Sequence, residues 1–240
     1  MCPANSSTRP RVAHALLIDA DDTLWENNIY FERAIADFIS FLNHRERSPA
    51  EVRGILNDVE RDAIITHGYG LHSFAHSLIK TFEHLSVEPL TPALHETIHG
   101  FAHTIAAQPV QLLPRVEETL QYLAARHALV LVTKGDLQEQ SGKIEHSGVK
   151  KYFRSVEVVA EKDSAIYRSV VGKHGLENDR TWMIGNSPRS DINPALRAGI
   201  NAIFIPHDDT WILEHEELDQ PDSNSRLLVL KTFAELQSHF

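Results

Sequence analysis

The sequence predicts an α/β protein, a doubly wound parallel sheet carrying one inserted all-helical block. Three observations support that expectation. Ala15-Leu16-Leu17-Ile18 is a short apolar run that breaks off into Asp19, Asp21 and Asp22, the pattern of a buried strand in the middle of a parallel sheet. From Pro114 onward, strand-like and helix-like segments alternate, which requires parallel strands with helices on both faces. Between Trp25 and Pro109, apolar residues recur at helical spacing without strand-like alternation, so this stretch reads as an insertion. Residues 11–25 and 110–240 are expected to form the core, residues 26–109 a helical domain and residues 1–10 a disordered tail. Hinges fall near Trp25–Asn28 and Gln108–Pro114.

The elements follow in order. Phe31, Ile35, Phe38, Ile39 and Leu42 mark a first helix, and Val52, Ile55, Leu56, Val59 and Ala63 a second. Ser48-Pro49 opens the second as N-cap and first-turn proline. A third helix is expected from Ser73 to Leu85, and a fourth from Pro92 to Ala107 with Thr91 as its cap. In the core, a helix from Arg115 to His127 precedes a strand from Ala128 to Val132, which ends at Thr133-Lys134-Gly135-Asp136. A helix from Asp136 to Ser147 stops at Gly148, a natural C-terminal position for glycine. A strand at Ser155–Val159, a helix at Asp163–His174 and a strand at Thr181–Ile184 come next, the last leading into Gly185-Asn186-Ser187-Pro188. A helix through Ile192 to Ala198, strands at Asn201–Ile205 and Arg226–Leu230, and a short helix from Thr232 complete the chain. Asp208 to Ser225 reads as an acidic loop.

Composition narrows the function classes. The 240 residues, 42% hydrophobic, suffice for a sizeable core. A net charge of -10 argues against a nucleic-acid or anionic-membrane partner. Cys2 is the one cysteine, which leaves no disulfide framework and suits a reducing compartment. Met1 to Pro10 carries no apolar stretch of the secretory kind, and no apolar run approaches the roughly twenty residues of a membrane span. The expectation is a cytoplasmic protein with neither a nucleic-acid nor a membrane partner. Whether it forms a homodimer is left open.

In a parallel sheet the ends of the strands share one edge, where ligands bind. Asp19 and Asp21, Thr133 and Lys134, the Lys162 region, and Asn186 with Asp191 all fall there. Together they offer carboxylates and an amide to a hard cation such as Mg²⁺. A hydroxyl and backbone N–H groups suit an anion, and a lysine neutralises charge. Such an edge supports phosphoryl chemistry: one carboxylate attacks phosphorus and a second moves protons. Taken singly, these residues have plainer readings. Thr133 is equally a helix N-cap, Lys162 a solvated lysine, and Asp191 a charge complementing a helix dipole.

As a set, they resemble the haloacid dehalogenase superfamily. Ile18-Asp19-Ala20-Asp21-Asp22-Thr23-Leu24 is similar to its first motif, and Leu131-Val132-Thr133-Lys134-Gly135 to its second. Glu161-Lys162-Asp163 with Tyr167 is similar to its third, and Gly185-Asn186-Ser187-Pro188-Arg189-Ser190-Asp191 to its fourth. The resemblance implies a Rossmann-like core, a helical cap formed by the insertion, and Mg²⁺ as cofactor. Asp19 would be the nucleophile, Asp21 the acid/base, Thr133 a phosphate ligand and Lys162 the charge-neutralising lysine. Asp19, Asp21, Asn186 and Asp191 become the candidate metal ligands, and Asp22, Thr23, Trp25, Tyr69, Lys134 and Gly135 the candidate substrate contacts. The family often has Gly-Asp where this chain has Gly185-Asn186, so whether Asn186 or Asp191 touches the ion stays open. Members that remove halide lack the second aspartate, and Asp21 is present.

Two features belong to the insertion. His95-Glu96-Thr97-Ile98-His99 fits H-E-x-x-H, with His103 on the same face and Glu117 or Glu118 as a distant third donor. With 15 histidines in the chain and Pro109 and Pro114 intervening, a solvated histidine-rich face is the better reading than a zinc peptidase. His67-Gly68-Tyr69-Gly70-Leu71-His72 is a permissive turn that could hang over the phosphate site or simply join two helices. The expected function is a Mg²⁺-dependent phosphatase acting on a small phosphorylated metabolite through an aspartyl-phosphate. A phosphotransferase or mutase, a 2-haloacid dehalogenase, and a non-catalytic binder of a phospho-ligand are the alternatives.

Overall fold

A computed structural model describes residues 13–44 and 46–240. Six parallel strands form one sheet: β1 (Ala15–Ile18), β2 (Ala128–Lys134), β3 (Ser155–Val159), β4 (Thr181–Gly185), β5 (Asn201–Phe204) and β6 (Leu227–Val229), in the order β3-β2-β1-β4-β5-β6. β1 lies between β2 and β4, with Ile18 opposite both Leu131 and Ile184. The strand order reverses direction at β1, so the residues that leave it open onto the crevice where α/β sheets bind ligands. Alternate residues of the inner strands feed opposite faces. Leu16, Ile18, Leu129, Leu131 and Ile184 pack on one side, and Leu17, Val130, Val132 and Met183 on the other. Burial on both faces explains the unbroken apolar runs read in the sequence.

Four helices follow β1: α1 (Asn28–Leu42), α2 (Pro49–His67), α3 (Leu71–Leu85) and α4 (Pro92–Ala106). They share an apolar cluster of their own, which includes Phe38, Leu56, Phe74, Leu78 and Ile98. Ser48 and Glu51 form a reciprocal capping box at the start of α2, and Thr91 caps α4. The chain then alternates α5 (Val116–Ala124), α6 (Leu137–Ser147), α7 (Ser164–His174), α8 (Asn193–Arg197) and α9 (Leu236–His239) with the remaining strands. Asp136 caps α6 through the N–H groups of Gln138 and Glu139. No helix among the described residues is long and apolar enough to cross a membrane.

The boundaries differ from expectation in instructive places. α3 begins at Leu71 rather than Ser73, because Leu71 N–H is taken by the Glu139 carboxylate at 3.0 Å. β2 runs on to Lys134 and β4 to Gly185, each paired one or more residues past its apolar run. Pro188–Ile192 forms a π-helical turn ahead of α8. Ser187 O accepts from both Asp191 N (2.9 Å) and Ile192 N (3.1 Å), and turns of this type cluster at functional sites. The expected disordered tail at residues 1–10, with Cys2, lies outside the described residues.

Candidate active site

Asp19 is the first residue after β1, fixed by its N–H donating to Ile184 O at 2.9 Å. The residue is 6% exposed. One carboxylate oxygen contacts the Lys162 ammonium, and the other accepts from Thr23 Oγ1 at 3.0 Å. Lys162 is 4% exposed and also reaches Asp191 at 2.8 Å, itself 1% exposed. Burial, reinforced by Asp191 and opposed by Lys162, raises the Asp19 carboxyl to about 7. Burial pulls Lys162 down, but Asp19 and Asp191 outweigh it and hold its ammonium above the usual range. Two buried carboxylates thus share one lysine. A further positive charge would complete that set, and its donors are all oxygen once the Asn186 amide is counted. The set fits a hard divalent cation.

The fourth motif supplies this geometry through close packing. Asp191 Oδ2 accepts from Ser187 N at 3.0 Å. A Cβ on Gly185 would lie 2.2 Å from that oxygen and 2.4 Å from its carbon, so only glycine admits the carboxylate. Gly185→Ala is expected to push Asp191 off Lys162. It should lower turnover at least about 10²-fold, the scale of an ångström's misplacement, as steady-state kinetics would show. Asn186 Oδ1 lies 3.2 Å from Thr23 Oγ1 and shares that hydroxyl's one proton with Asp19, and the Asn186 amide donates to Thr210 Oγ1 (3.0 Å). Tyr167 steadies the π-helical turn by donating to Ser190 O at 2.8 Å.

Asp21 faces a different set. Lys143 Nζ lies 2.9 Å from both of its oxygens, Gln140 donates at 2.9 Å and the Trp25 indole at 2.7 Å. Burial raises the Asp21 carboxyl, but Lys143, Gln140 and Trp25 together outweigh it, and the net result lies below the ordinary value. Gln140 also accepts from Thr133 Oγ1 at 3.2 Å, linking the first and second motifs. Trp25 was a candidate substrate contact; at 1% exposed it packs in the core and supports Asp21 from behind. Asp22 accepts the backbone N–H groups of Asn27 (2.8 Å) and Asn28 (3.0 Å), tying the start of α1 to β1. A separate trio, Asp22, Glu26 and His207, brings one ligand atom each within 4.8 Å.

Asp19, Asp21, Asp22, Thr133, Lys134, Gly135, Lys162, Asn186, Asp191 and Tyr69 line one cavity of about 170 Å³. Thr23 and Trp25 stand behind that wall. Lys134 lies within 2.6 Å of Glu214, 2.7 Å of Ser190 and 3.5 Å of Glu161, beneath the Tyr69 ring at 4.2 Å. The Tyr69 hydroxyl donates to Glu161 at 2.7 Å, so the glycine-flanked turn reaches the sheet edge. Gly70 has φ 122°, and a Cβ there would meet the Glu139 carboxylate at 3.0 Å.

Sequence reasoning missed Gln140 and Lys143, Thr210, Trp211 and Glu214. The first two stand one turn apart on α6, just after a capped strand end, and that spacing was the available signal. The others come from the loop read as merely acidic, where Trp211-Ile212 is the apolar exception. His95 and His99 sit on α4 outside the cavity lining. Neither distant glutamate joins them: Glu117 is bonded to Lys151 and Tyr152, and Glu118 to Arg115.

The family model for haloacid dehalogenase-like hydrolases matches residues 13–199. Over 109 residues the chain is 31% identical to the pyrimidine 5'-nucleotidase PynA of Streptococcus pneumoniae. That alignment covers 42% of this chain and 46% of PynA, so the match spans about half the length of that relative. A solved haloacid dehalogenase-like family hydrolase from Xanthomonas campestris superposes with a TM-score of 0.79 at 29% identity, covering 95% of this chain and 94% of that one. YfnB of Bacillus subtilis, a putative HAD-hydrolase solved with magnesium, gives 0.65 at 16% identity over 95% and 98% of the two chains. A 2-haloacid dehalogenase from Pseudomonas syringae gives 0.58 at 18% over 95% and 97%. The last two likenesses concern the fold alone.

Proposed function

The chain belongs to the haloacid dehalogenase-like hydrolases, and on that premise we propose that it is a Mg²⁺-dependent phosphatase of small phosphorylated metabolites. The observation that carries this reading is Asp21, held by Lys143, Gln140 and Trp25 on the wall of the cavity that Asp19 also lines. Halide needs no proton when it leaves, whereas an alcohol does, and a positioned carboxyl two residues from the nucleophile meets that need.

In this reading Asp19 attacks phosphorus, the bond to the ester oxygen breaks, and an aspartyl-phosphate forms on Asp19. Asp21 protonates the departing oxygen and then, as a base, takes a proton from the water that releases phosphate. The first step draws on the protonated fraction of Asp21, and Lys143 favours the carboxylate that then serves as the base. Thr133 turns its hydroxyl from Gln140 to a phosphoryl oxygen, and Lys162 keeps Asp19 and Asp191 in register. Asp19 and Asp191, with Asn186 beside them, would hold Mg²⁺, which when bound supplies positive charge against the phosphoryl oxygens. The Asp21 carboxylate is already committed to three donors, which suits proton transfer better than metal ligation. Residues 26–109 act as the helical cap, with Tyr69 closing over Lys134 and excluding water.

Partial identity to a pyrimidine 5'-nucleotidase makes nucleoside monophosphates the first substrates to try. The purified protein is expected to hydrolyse 4-nitrophenyl phosphate with Mg²⁺ and to lose that activity in chelator. Halide release from a 2-haloacid without phosphate release would overturn the proposal in favour of the dehalogenase reading.

A further inference from the structure

Glu60 is a buried carboxylate on α2 for which the fold supplies no full set of partners. It is 6% exposed and lines the same cavity as Asp19 and Asp21. Its Oε2 is shut off from solvent and has no hydrogen-bond partner. Arg53 on its own helix and Glu32 on α1 act on it through charge, and the Trp211 indole from the loop after β5 donates to the carboxyl, leaving Oε2 unserved. Arg53 spends Nη2 on Glu32 at 2.7 Å and Nε on Asn57 at 2.8 Å, and its buried Nη1 has no hydrogen-bond partner and does not reach Glu60 Oε2. Burial pushes the Glu60 carboxyl up to about 7, with Arg53 opposing and Glu32 adding to the rise. A buried acceptor without a donor destabilises a fold, and its retention in a cavity wall points to a donor supplied by a ligand.

The surrounding wall describes that ligand. Phe31, Ile35, Ile64, Phe74 and Trp211 line the cavity with Glu60, and the Phe31 and Phe74 rings meet edge to face at 5.0 Å. Aromatic walls favour a flat ring. A ring with one or two N–H groups suits a single carboxylate better than an ammonium with three donors to satisfy. We infer that Glu60 is a specificity-determining residue that accepts a hydrogen bond from an N–H on the edge of a flat heteroaromatic base, which the leaving group carries and which sits against Phe31, Phe74 and Trp211. The inference rests on the phosphatase reading of the site.

The test compares kcat/KM of the full chain for uridine and cytidine 5'-monophosphates, ribose 5-phosphate and 4-nitrophenyl phosphate. Wild type should prefer the base-bearing esters over ribose 5-phosphate. Glu60→Leu should shrink that preference about 30-fold, the scale of a hydrogen bond to a charged group, mainly through KM. Glu60→Gln, which keeps an acceptor oxygen, should fall between. If 4-nitrophenyl phosphate is hydrolysed but wild type shows no preference for a base, or Glu60→Leu leaves the preference unchanged, the inference falls and the phosphatase reading stands. If no ester is hydrolysed with Mg²⁺, the phosphatase reading falls and takes the inference with it.

Thermal unfolding separates this role from a structural one. With the Glu60 carboxyl raised from its ordinary 4.5 to about 7, the folded state holds a proton that the unfolded chain has released. Wild-type stability therefore declines as pH rises through that window. Glu60→Leu removes this term, so its Tm should exceed that of wild type by about 5 °C at pH 8 and by less at pH 5. A lower Tm for the leucine variant at pH 8 would make Glu60 structural and overturn the inference.

Discussion

Asp19→Asn is expected to abolish turnover of any phosphomonoester, by about 10⁴-fold or more, while the chain stays folded. An amide presents no lone pair basic enough to attack phosphorus, and nothing else at the sheet edge is placed to replace it. The fold should tolerate the change because the site is crowded with negative charge. Asp19 and Asp191 both depend on Lys162, and removing one carboxylate leaves the other a complete ion pair. Single-turnover kinetics with 4-nitrophenyl phosphate, read beside a thermal melt, would check both halves. Residual turnover within about tenfold of wild type would mean that another group is the nucleophile.

Lys162→Met should have the largest effect on stability. The lysine is almost fully buried between two carboxylates, and breaking such a set by deleting one partner costs about 3–5 kcal/mol. For a chain of this size that is a fall in Tm of roughly 10 °C, measurable in chelator by circular dichroism. Asp19→Asn combined with Lys162→Met should recover part of the loss, since one unpaired carboxylate is then gone. Full additivity of the two changes would show that they do not interact. A Tm near that of wild type for Lys162→Met alone would mean that the two acids are neutral at rest.

The sheet edge was legible because backbone order alone delivers it. The apolar run of β1, the strand ends at Thr133 and Asn186, and the capped start of α7 after Lys162 all converge once the sheet is parallel. The four inserted helices were legible from spacing and from Ser48-Pro49 and Thr91. Partners set by side-chain direction were not. Nothing local says that Gln140 and Lys143 turn toward Asp21, that Trp25 points inward, or that Glu214 crosses 80 residues of chain to meet Lys134. The π-helical turn at Pro188–Ile192 was also hidden, because it depends on Ser187 O receiving two N–H groups at once. The assignment of roles to these residues rests on chemistry and resemblance, and the variants above address it.

Three of the contacts that join the four helices to the sheet edge share a property with kinetic consequences. Tyr69 to Glu161, Leu71 N–H to Glu139, and Asn28 to the Asp209 carbonyl are all hydrogen bonds between groups that water can serve equally well. When these bonds part, each donor and acceptor is rehydrated. The free-energy difference between the broken and the joined bonds is then small. In the proposed cycle, exchange of product for substrate across these bonds would leave the apolar faces of the sheet undisturbed.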